Sequence, residues 1–443
     1  GSGTNLTFEV ETPARVGLVA FKVIARSGRF SDGELRPIPL LPGRIHLAQS
    51  RFVTLKGKAR REMTFADMRK DDDPTLIHEQ LVVTIDAQLF YSVLSALPYL
   101  VNYPYECTEQ TLNRFVSTGI LASMYEDYPA IERMAKKFSR RKTRLERWDA
   151  DDPNRKMALE ETPWLQQARG GRKSAHPLIN VLDPRITRAQ RDSSLAKLKK
   201  AQTSSGGFPW FPGGPPSPYI TLYLLYGFSK ALEFGVDVPR DMTQRAWSYM
   251  KRHYVDHLVE YCMAHDACWE MITFLNYVIS NYPDASWTNS VFSDIDRRRM
   301  LDFSFKHWRE HSPYLKGYLA LTLKRMDREK DGRLVWESVM DSAKSAQDQG
   351  TFWAPEDRAW LWYNDTIETH AFAIRTIMEV TPEEPKLDGL VLWIFLNKKL
   401  NHWRSTRATA EVIYSLAHYL KATEQLGVRE QAKVTVGGQS LSG

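Results

Sequence analysis

Gln202-Thr203-Ser204-Ser205-Gly206-Gly207-Phe208, followed shortly by Ser217-Pro218-Tyr219, ends one helical pattern, turns on glycine and an aromatic ring, and opens the next helix with a capping pair. The same plan returns in Gln347-Asp348-Gln349-Gly350-Thr351-Phe352-Trp353 before Thr366-Ile367-Glu368-Thr369, and Trp403-Arg404-Ser405-Thr406 leads into the last helix in a similar way. Each such hairpin buries its face only against neighbours, so hairpins of this kind stack side by side and can close into an α/α toroid. The expected fold class is mainly α, a toroid of about six helical hairpins, with a smaller β region at the N-terminus and a strand at the C-terminus.

Outward from that repeat, helical periodicity runs from residue 87 almost to the end. It predicts helices over 88–97, 108–125, 188–202, 219–234, 240–253, 256–281, 294–311, 313–326, 334–348, 366–380, 386–400 and 405–425. Before residue 87 the pattern is β-like. Leu6-Thr7-Phe8-Glu9-Val10 and Val16-Gly17-Leu18-Val19-Ala20-Phe21-Lys22-Val23 alternate or cluster β-formers, and Pro37, Pro39, Pro42 and Gly43 punctuate them. Ala432-Lys433-Val434-Thr435-Val436-Gly437-Gly438 reads as a strand and turn that then stop. The opening Gly1-Ser2-Gly3 reads as a cloning scar, and the chain as an excised piece of something longer.

The 443 residues allow two to three domains or one large helical one, and 43% apolar with 12% aromatic residues is a globular composition. A net charge of +7 comes from Lys and Arg intermixed with Asp and Glu, and the densest basic run, from Lys136-Lys137 to Arg147, lacks interleaved aromatics. It reads as a solvated helix face, so no nucleic-acid partner is expected. Cys107, Cys262 and Cys268 cannot form a disulfide framework or a zinc knuckle. In an oxidising compartment a bridge between Cys262 and Cys268 would leave Cys107 alone.

The most informative chemistry lies in Tyr103-Pro104-Tyr105-Glu106-Cys107-Thr108-Glu109-Gln110. A Cys and a Gln three positions apart at a helix start share a face. Attack of the thiolate on the carboxamide would expel ammonia and leave a thioester, and the helix N-terminus favours the thiolate. Such an acyl donor persists only where water is kept out. Tyr103 and Tyr105 are adjacent shields, and Trp164 in Thr162-Pro163-Trp164-Leu165 is a further one. The blander alternative makes Cys107 a small buried hydrophobe and Gln110 a capping amide.

The motif resembles the thioester signature of the alpha-2-macroglobulin and complement family, in particular its bacterial branch with Pro-Tyr-x-Cys-x-Glu-Gln. Phe30-Ser31-Asp32-Gly33-Glu34, Pro37-Ile38-Pro39-Leu40-Leu41-Pro42, Gly206-Gly207-Phe208-Pro209-Trp210-Phe211, Ser217-Pro218-Tyr219, and Trp403 with Thr406-Arg407-Ala408-Thr409-Ala410 resemble that branch too. The resemblance implies Cys107 and Gln110 as the thioester pair, with Glu109 fixed between them. Glu106 departs from the pattern, standing where the family often has Gly. It further implies a macroglobulin or CUB-like β portion over 4–85, a thioester domain over 86–428, and a returning β segment from 429 to 443.

By the same resemblance the parent is a broad-spectrum protease inhibitor, a single-turnover covalent trap and not an enzyme. Its partners would be attacking proteases, other surface nucleophiles and the remaining domains of the parent chain, with no membrane contact by this piece. The location implied is periplasmic or at the cell surface. No cofactor or metal is expected beyond the internal bond. His253, His257 and His265 are read as ordinary helix histidines.

Three rivals remain open at this point. A terpenoid-cyclase-like toroid enzyme is suggested by Asp149-Ala150-Asp151-Asp152, although that stretch reads as a solvated loop. A cysteine hydrolase would use Cys107 with a distant His. A helical scaffold would leave the thioester unformed.

Overall fold

The computed structural model describes residues 3–11, 17–40, 60–65, 81, 83, 93–129, 131–133, 183–288, 290–346, 349–353, 361–399, 402–426 and 433–441. Two units interleave in sequence. The first comprises Gly1–Arg51, Thr64–Leu76 and Thr143–Arg172, and the second Phe52–Met63, Ile77–Lys142 and Lys173–Gly443.

In the first unit, β1 (Gly17–Ser27) and β2 (Phe30–Leu40) form an antiparallel hairpin with Ser27 opposite Phe30. Gly28, at φ +58°, supplies the left-handed turn position that a two-residue connection needs. The punctuation expected at Pro37 and Pro39 does not end the strand, which continues to Leu40. In a two-stranded ribbon each strand keeps one unpaired edge, where a residue without an N–H costs no ladder bond. Leu6-Thr7-Phe8-Glu9-Val10, expected as strand, has no regular structure, and Leu6, Phe8 and Val10 are exposed. Alternation selects a face, but only a pairing partner makes a strand.

The second unit is helical. Its described helices are α1 (Leu97–Val101), α2 (Thr108–Asp127), α3 (Pro184–Ala201), α4 (Pro218–Glu233), α5 (Arg240–Met250), α6 (Glu260–Ala264), α7 (Trp269–Ser280), α8 (Asp294–Lys306), α9 (Pro313–Arg325), α10 (Glu329–Met340), α11 (Thr366–Val380), α12 (Leu387–Leu396) and α13 (Thr406–Ala422). Short hairpins β3 (Lys344–Ala346) with β4 (Gly350–Phe352), and β5 (Val434–Val436) with β6 (Gln439–Leu441), complete it. The expected final strand and turn therefore do not stop at Gly438 but return as β6. Among the described residues no helix is long and apolar enough to cross a membrane.

The helices sort into two kinds. In α4 every residue from Ile220 to Ala231 is buried, and α2, α7, α9, α11 and α13 are similarly covered on all sides. By contrast α5 and α10 bury a single face, the latter through Val335, Trp336, Val339 and Met340. The fully buried helices touch one another in a closed cycle, α2 to α4, α7, α9, α11, α13 and back to α2. The one-faced helices pack outside, with α3 on α2, α5 on α4, α8 on α7 and α10 on α9. The middle is filled by rings, including Tyr277 stacked on Tyr318 with centroids 4.4 Å apart and Phe274 on Tyr318 at 5.2 Å.

The recurring turn has a common physical device. After each turn an aromatic residue enters the core, and its backbone N–H is taken by a polar side chain one turn into the next helix: Phe208 by Thr221, Trp353 by His370, and Trp403 by Thr409. The helix itself opens on a side chain that accepts from its first turn, Ser217, Asp365 and Ser405 respectively.

Some boundaries differ from the sequence expectation. The stretch 256–281 is not one helix: a π-helix over Lys251–Val259 leads to α6, the Cys262–Cys268 disulfide closes a turn with Cys268 at φ +56°, and α7 follows. The stretch 334–348 ends as helix at Met340, because Gly350, at φ +77° and packed under Gly389, folds the chain back as β3 and β4. Of the stretch 88–97, residues 88–92 lie outside the described residues, 93–94 are helical, and α1 begins only at Leu97.

Candidate functional site

The segment before α2 is fastened from inside the unit. Arg114, in the second turn of α2 and almost fully buried, donates to the carbonyls of Leu100 (3.2 Å) and Tyr103 (3.4 Å) and to Glu106 Oε1 (2.7 Å). Lys197 of α3 reaches the same carboxylate at 2.7 Å. Lys197 and then Arg114 hold the Glu106 carboxyl below its ordinary range. The residue that departs from the family pattern is thus an anchor for the turn leading into the helix.

Cys107 is the N-cap of α2, with φ −73° and ψ 169°, and is 7% exposed. Its backbone N–H donates to Gln110 Oε1 at 3.0 Å, and its thiol sulfur faces the N–H of Gln110 in the arrangement of a capping box. Cysteine stands where that box ordinarily has Ser or Thr. The Gln110 carboxamide is therefore folded back onto the residue that carries the thiol. Burial pushes the thiol up to about 11, although the backbone N–H groups of Gln110 and Glu109 at the helix start favour the thiolate. Loss of solvation outweighs the attraction of the helix end.

Glu109, between the pair, points into the core. Oε1 accepts from Thr406 Oγ1 (2.9 Å), at the start of α13, and from Asn113 Nδ2, while Oε2 lies 3.7 Å from Cys107 Sγ. Asn113 is itself fixed by the hydroxyls of Tyr223 (3.0 Å) and Tyr414 (3.4 Å). Burial raises the Glu109 carboxyl, against the Thr406 hydroxyl and the charge of Arg407.

The glycine turn meets the motif from the other side, since Thr108 N–H donates to the Trp210 carbonyl at 2.9 Å. Gly206, at φ +93°, lies so close to the Arg245 carbonyl that a Cβ would approach its oxygen to 2.4 Å, so only glycine fits this turn. Trp210 stacks on Tyr219 with centroids 5.8 Å apart, and Tyr219 meets Trp362 at 5.8 Å. With Asp365, Glu368 and Arg407 they line a cleft of about 540 Å³.

Of the expected shields, Tyr103 is half-buried and packs edge-on against Tyr99 (5.5 Å) and Tyr105 (6.0 Å), whereas Tyr105 is 66% exposed. Trp164 and Asp149-Ala150-Asp151-Asp152 lie outside the described residues. His265 stacks on Tyr261 and His253 meets the Tyr249 ring at a tilt, and the side chains that hydrogen-bond Cys107 are those of Gln110, Glu109 and Thr111. Sequence reasoning gave no role to Asn113 or Arg114. Both are polar side chains inside an otherwise buried helix, three and four residues past Gln110 and so about one turn beyond the motif, and that was the available signal.

Among solved structures this chain is similar to bacterial alpha-2-macroglobulins. Native E. coli alpha-2-macroglobulin from domain MG7 to the C-terminus is 17% identical, matched over 73% of this chain and 41% of that one with a TM-score of 0.44. The trypsin-activated E. coli protein is 17% identical over 71% of this chain and 17% of its own, TM-score 0.40. A Salmonella alpha-2-macroglobulin mutant is 15% identical over 75% and 17%, TM-score 0.43. This chain therefore spans less than half the length of the proteins it resembles. No protein-family model and no curated protein sequence matches it.

Proposed function

We propose that the helical unit is the thioester domain of a bacterial alpha-2-macroglobulin-like protease inhibitor, an α/α toroid whose Cys107–Gln110 bond acylates nucleophiles on an attacking protease. The supporting observation is the folded-back carboxamide, with Gln110 Oε1 held at 3.0 Å by the N–H of the residue that bears the thiol. The closed cycle of buried helices with others packed outside supports the toroid. In this reading the domain over 86–428 sits between β portions over 4–85 and 429–443, the parent acts once per molecule as a trap, and its location is periplasmic or at the cell surface. Tyr103 and Tyr105 beside the motif keep water from the bond.

The aromatic centre argues against a cyclase cavity, since Tyr226, Tyr277 and Tyr318 are each at most 2% exposed and fill it. A cysteine hydrolase needs a His base on its thiol, whereas among the described residues the side chain that meets the Cys107 sulfur is that of Glu109.

Intact mass of freshly purified protein, taken before and after methylamine, tests the reading. The expected result is a mass one ammonia below the sequence value, converted to a methylamine adduct with one newly titratable thiol at Cys107. An unmodified mass with Cys107 free from the start and no amine uptake overturns it in favour of a scaffold.

A further inference from the structure

The arrangement around Cys107 holds more than a nucleophile and an electrophile. Glu109 is tied through one oxygen, Oε1, to Thr406 and Asn113, and its other oxygen, Oε2, faces the thiol sulfur at 3.7 Å. Bringing a partly buried carboxylate to a buried thiol costs both groups hydration, which packing or capping alone does not require. Within the same turn the Cys107 N–H already donates to Gln110 Oε1, the oxygen on which charge develops when sulfur attacks the carboxamide carbon. Nucleophile, base, orienting groups and an oxyanion donor are thus present together.

We propose that Glu109 carries the proton in closing the thioester, taking it from Cys107 Sγ and delivering it to the departing nitrogen of Gln110. This rests on the thioester reading above. As the sulfur forms its bond to the carboxamide carbon, its proton passes to Glu109 Oε2 and the negative charge appears on Gln110 Oε1, facing the Cys107 N–H. The carbon–nitrogen bond then breaks, the electron pair on oxygen re-forms the carbonyl, and the nitrogen leaves as ammonia with the proton returned by Glu109. One thiol and one amide give one thioester and one ammonia, and Glu109 ends as it began. Thr406 and Asn113 are positioning residues, fixing Oε1 so that Oε2 stays on the sulfur.

The base must be ionised to act, so closure should quicken as pH rises through the Glu109 titration. That titration is set first by burial and then by Thr406 and Arg407 on α13, Cys107 beside it and Asn113 on α2, while Tyr414 on α13, Tyr219 and Tyr223 on α4, and Tyr99 and Tyr103 before α2 face the carboxyl as uncharged phenols, each raised by burial and by Glu109.

The test is timed mass spectrometry of the 443-residue chain made by cell-free synthesis and quenched in acid at intervals. Wild type is compared with Glu109→Gln, with circular dichroism confirming the fold. The expected result is ammonia loss in wild type and closure slowed about a hundredfold or more in Glu109→Gln. Closure of folded Glu109→Gln at the wild-type rate overturns the role of Glu109 and leaves the thioester reading standing. Wild type that never loses ammonia overturns both. Should Glu109→Gln not fold, Thr406→Val decides: losing that donor should move the pH profile of closure upward, and an unmoved profile overturns the proposal.

Discussion

The fully buried helices begin at one end of their ring and finish at the other, and the two ends treat charge in opposite ways. Where they begin, Glu109 of α2 meets Thr406 of α13, and Arg407 of α13 meets Tyr219 of α4 and Glu368 of α11. Where they finish, Arg375 of α11 grips Glu233 of α4 at 2.8 Å, and Arg325 of α9 holds Glu379 of α11 at 2.9 Å. Cations gather where the helix carbonyls end, as the helix dipoles favour. Burial would raise both acids at that end, yet Arg375 with Lys230 hold Glu233 well below its usual range, and Arg325 with Arg375 lower Glu379. At the beginning end burial prevails, and Glu109 is raised. Both ends hold ion pairs, Arg407 with Glu368 at one and Arg375 with Glu233 at the other, but at the finishing end the arginines prevail over burial, whereas the beginning end keeps a raised carboxyl beside a thiol.

The largest expected effect separates the ends by chemistry. Cys107→Ala should abolish methylamine uptake, measured by intact mass, while leaving the ion pairs at the far end untouched. Stability should fall by only about 0.5–2 kcal/mol in urea unfolding, because alanine leaves the Gln110 N–H of the capping box unmet. Uptake that survived in Cys107→Ala would place the reactive group elsewhere.

The next largest falls at the opposite end. Arg375→Ala empties the space of a fully buried side chain and removes a partner from Glu233, which keeps Lys230 and His418, so unfolding should become easier by about 2–4 kcal/mol, mostly through lost packing. Amine uptake per folded molecule should stay at the wild-type level. A variant that kept its stability but lost uptake would erase the division between a structural and a reactive end.

A smaller effect tests how the reactive end is braced. A Cβ on Gly207 would lie 2.8 Å from both Pro216 Cβ and the Tyr249 ring, so Gly207→Ala should cost about 1–3 kcal/mol in urea unfolding. It should also disturb the Trp210 carbonyl that holds Thr108 N–H, and so speed loss of the thioester in buffer relative to wild type. Equal stability with an unchanged lifetime would mean that the turn does not brace the motif.

What could be read from sequence follows this same contrast between local and distant. Cys107 and Gln110 were legible because their contact closes within one helical turn, and the aromatic turns were legible because Gly206-Gly207-Phe208 and its counterparts repeat. The partner of Glu109 was not, since Thr406 lies 297 residues away and only the closed cycle of helices brings it near. The helix expected over 256–281 failed for a related reason. Periodicity continues through Cys262 and Cys268, and only the pairing of the two shows that the chain must turn between them. The raised thiol was missed because a helix end is visible in sequence, whereas burial of the group that sits on it is not.

The smallest effect concerns the far end alone. Lys230 is wholly buried among Tyr226, Tyr277 and Glu233, and burial lowers its ammonium to about 7, with Arg375 adding to the shift. The folded chain then sheds this proton near neutrality, while the unfolded chain holds it up to the ordinary lysine range. Between those limits the unfolded state binds more protons, so stability should rise with pH, by up to about 1.4 kcal/mol per unit from this group. Lys230→Met removes the titrating group, and urea midpoints from neutral to mildly alkaline pH should then lose that rise. A wild-type midpoint that is flat or falling across the same window, and no different in Lys230→Met, would show that Lys230 stays charged in the folded state. The far end would then carry an unneutralised cation, and the contrast with the Glu109 end would reduce to which sign of charge each end tolerates.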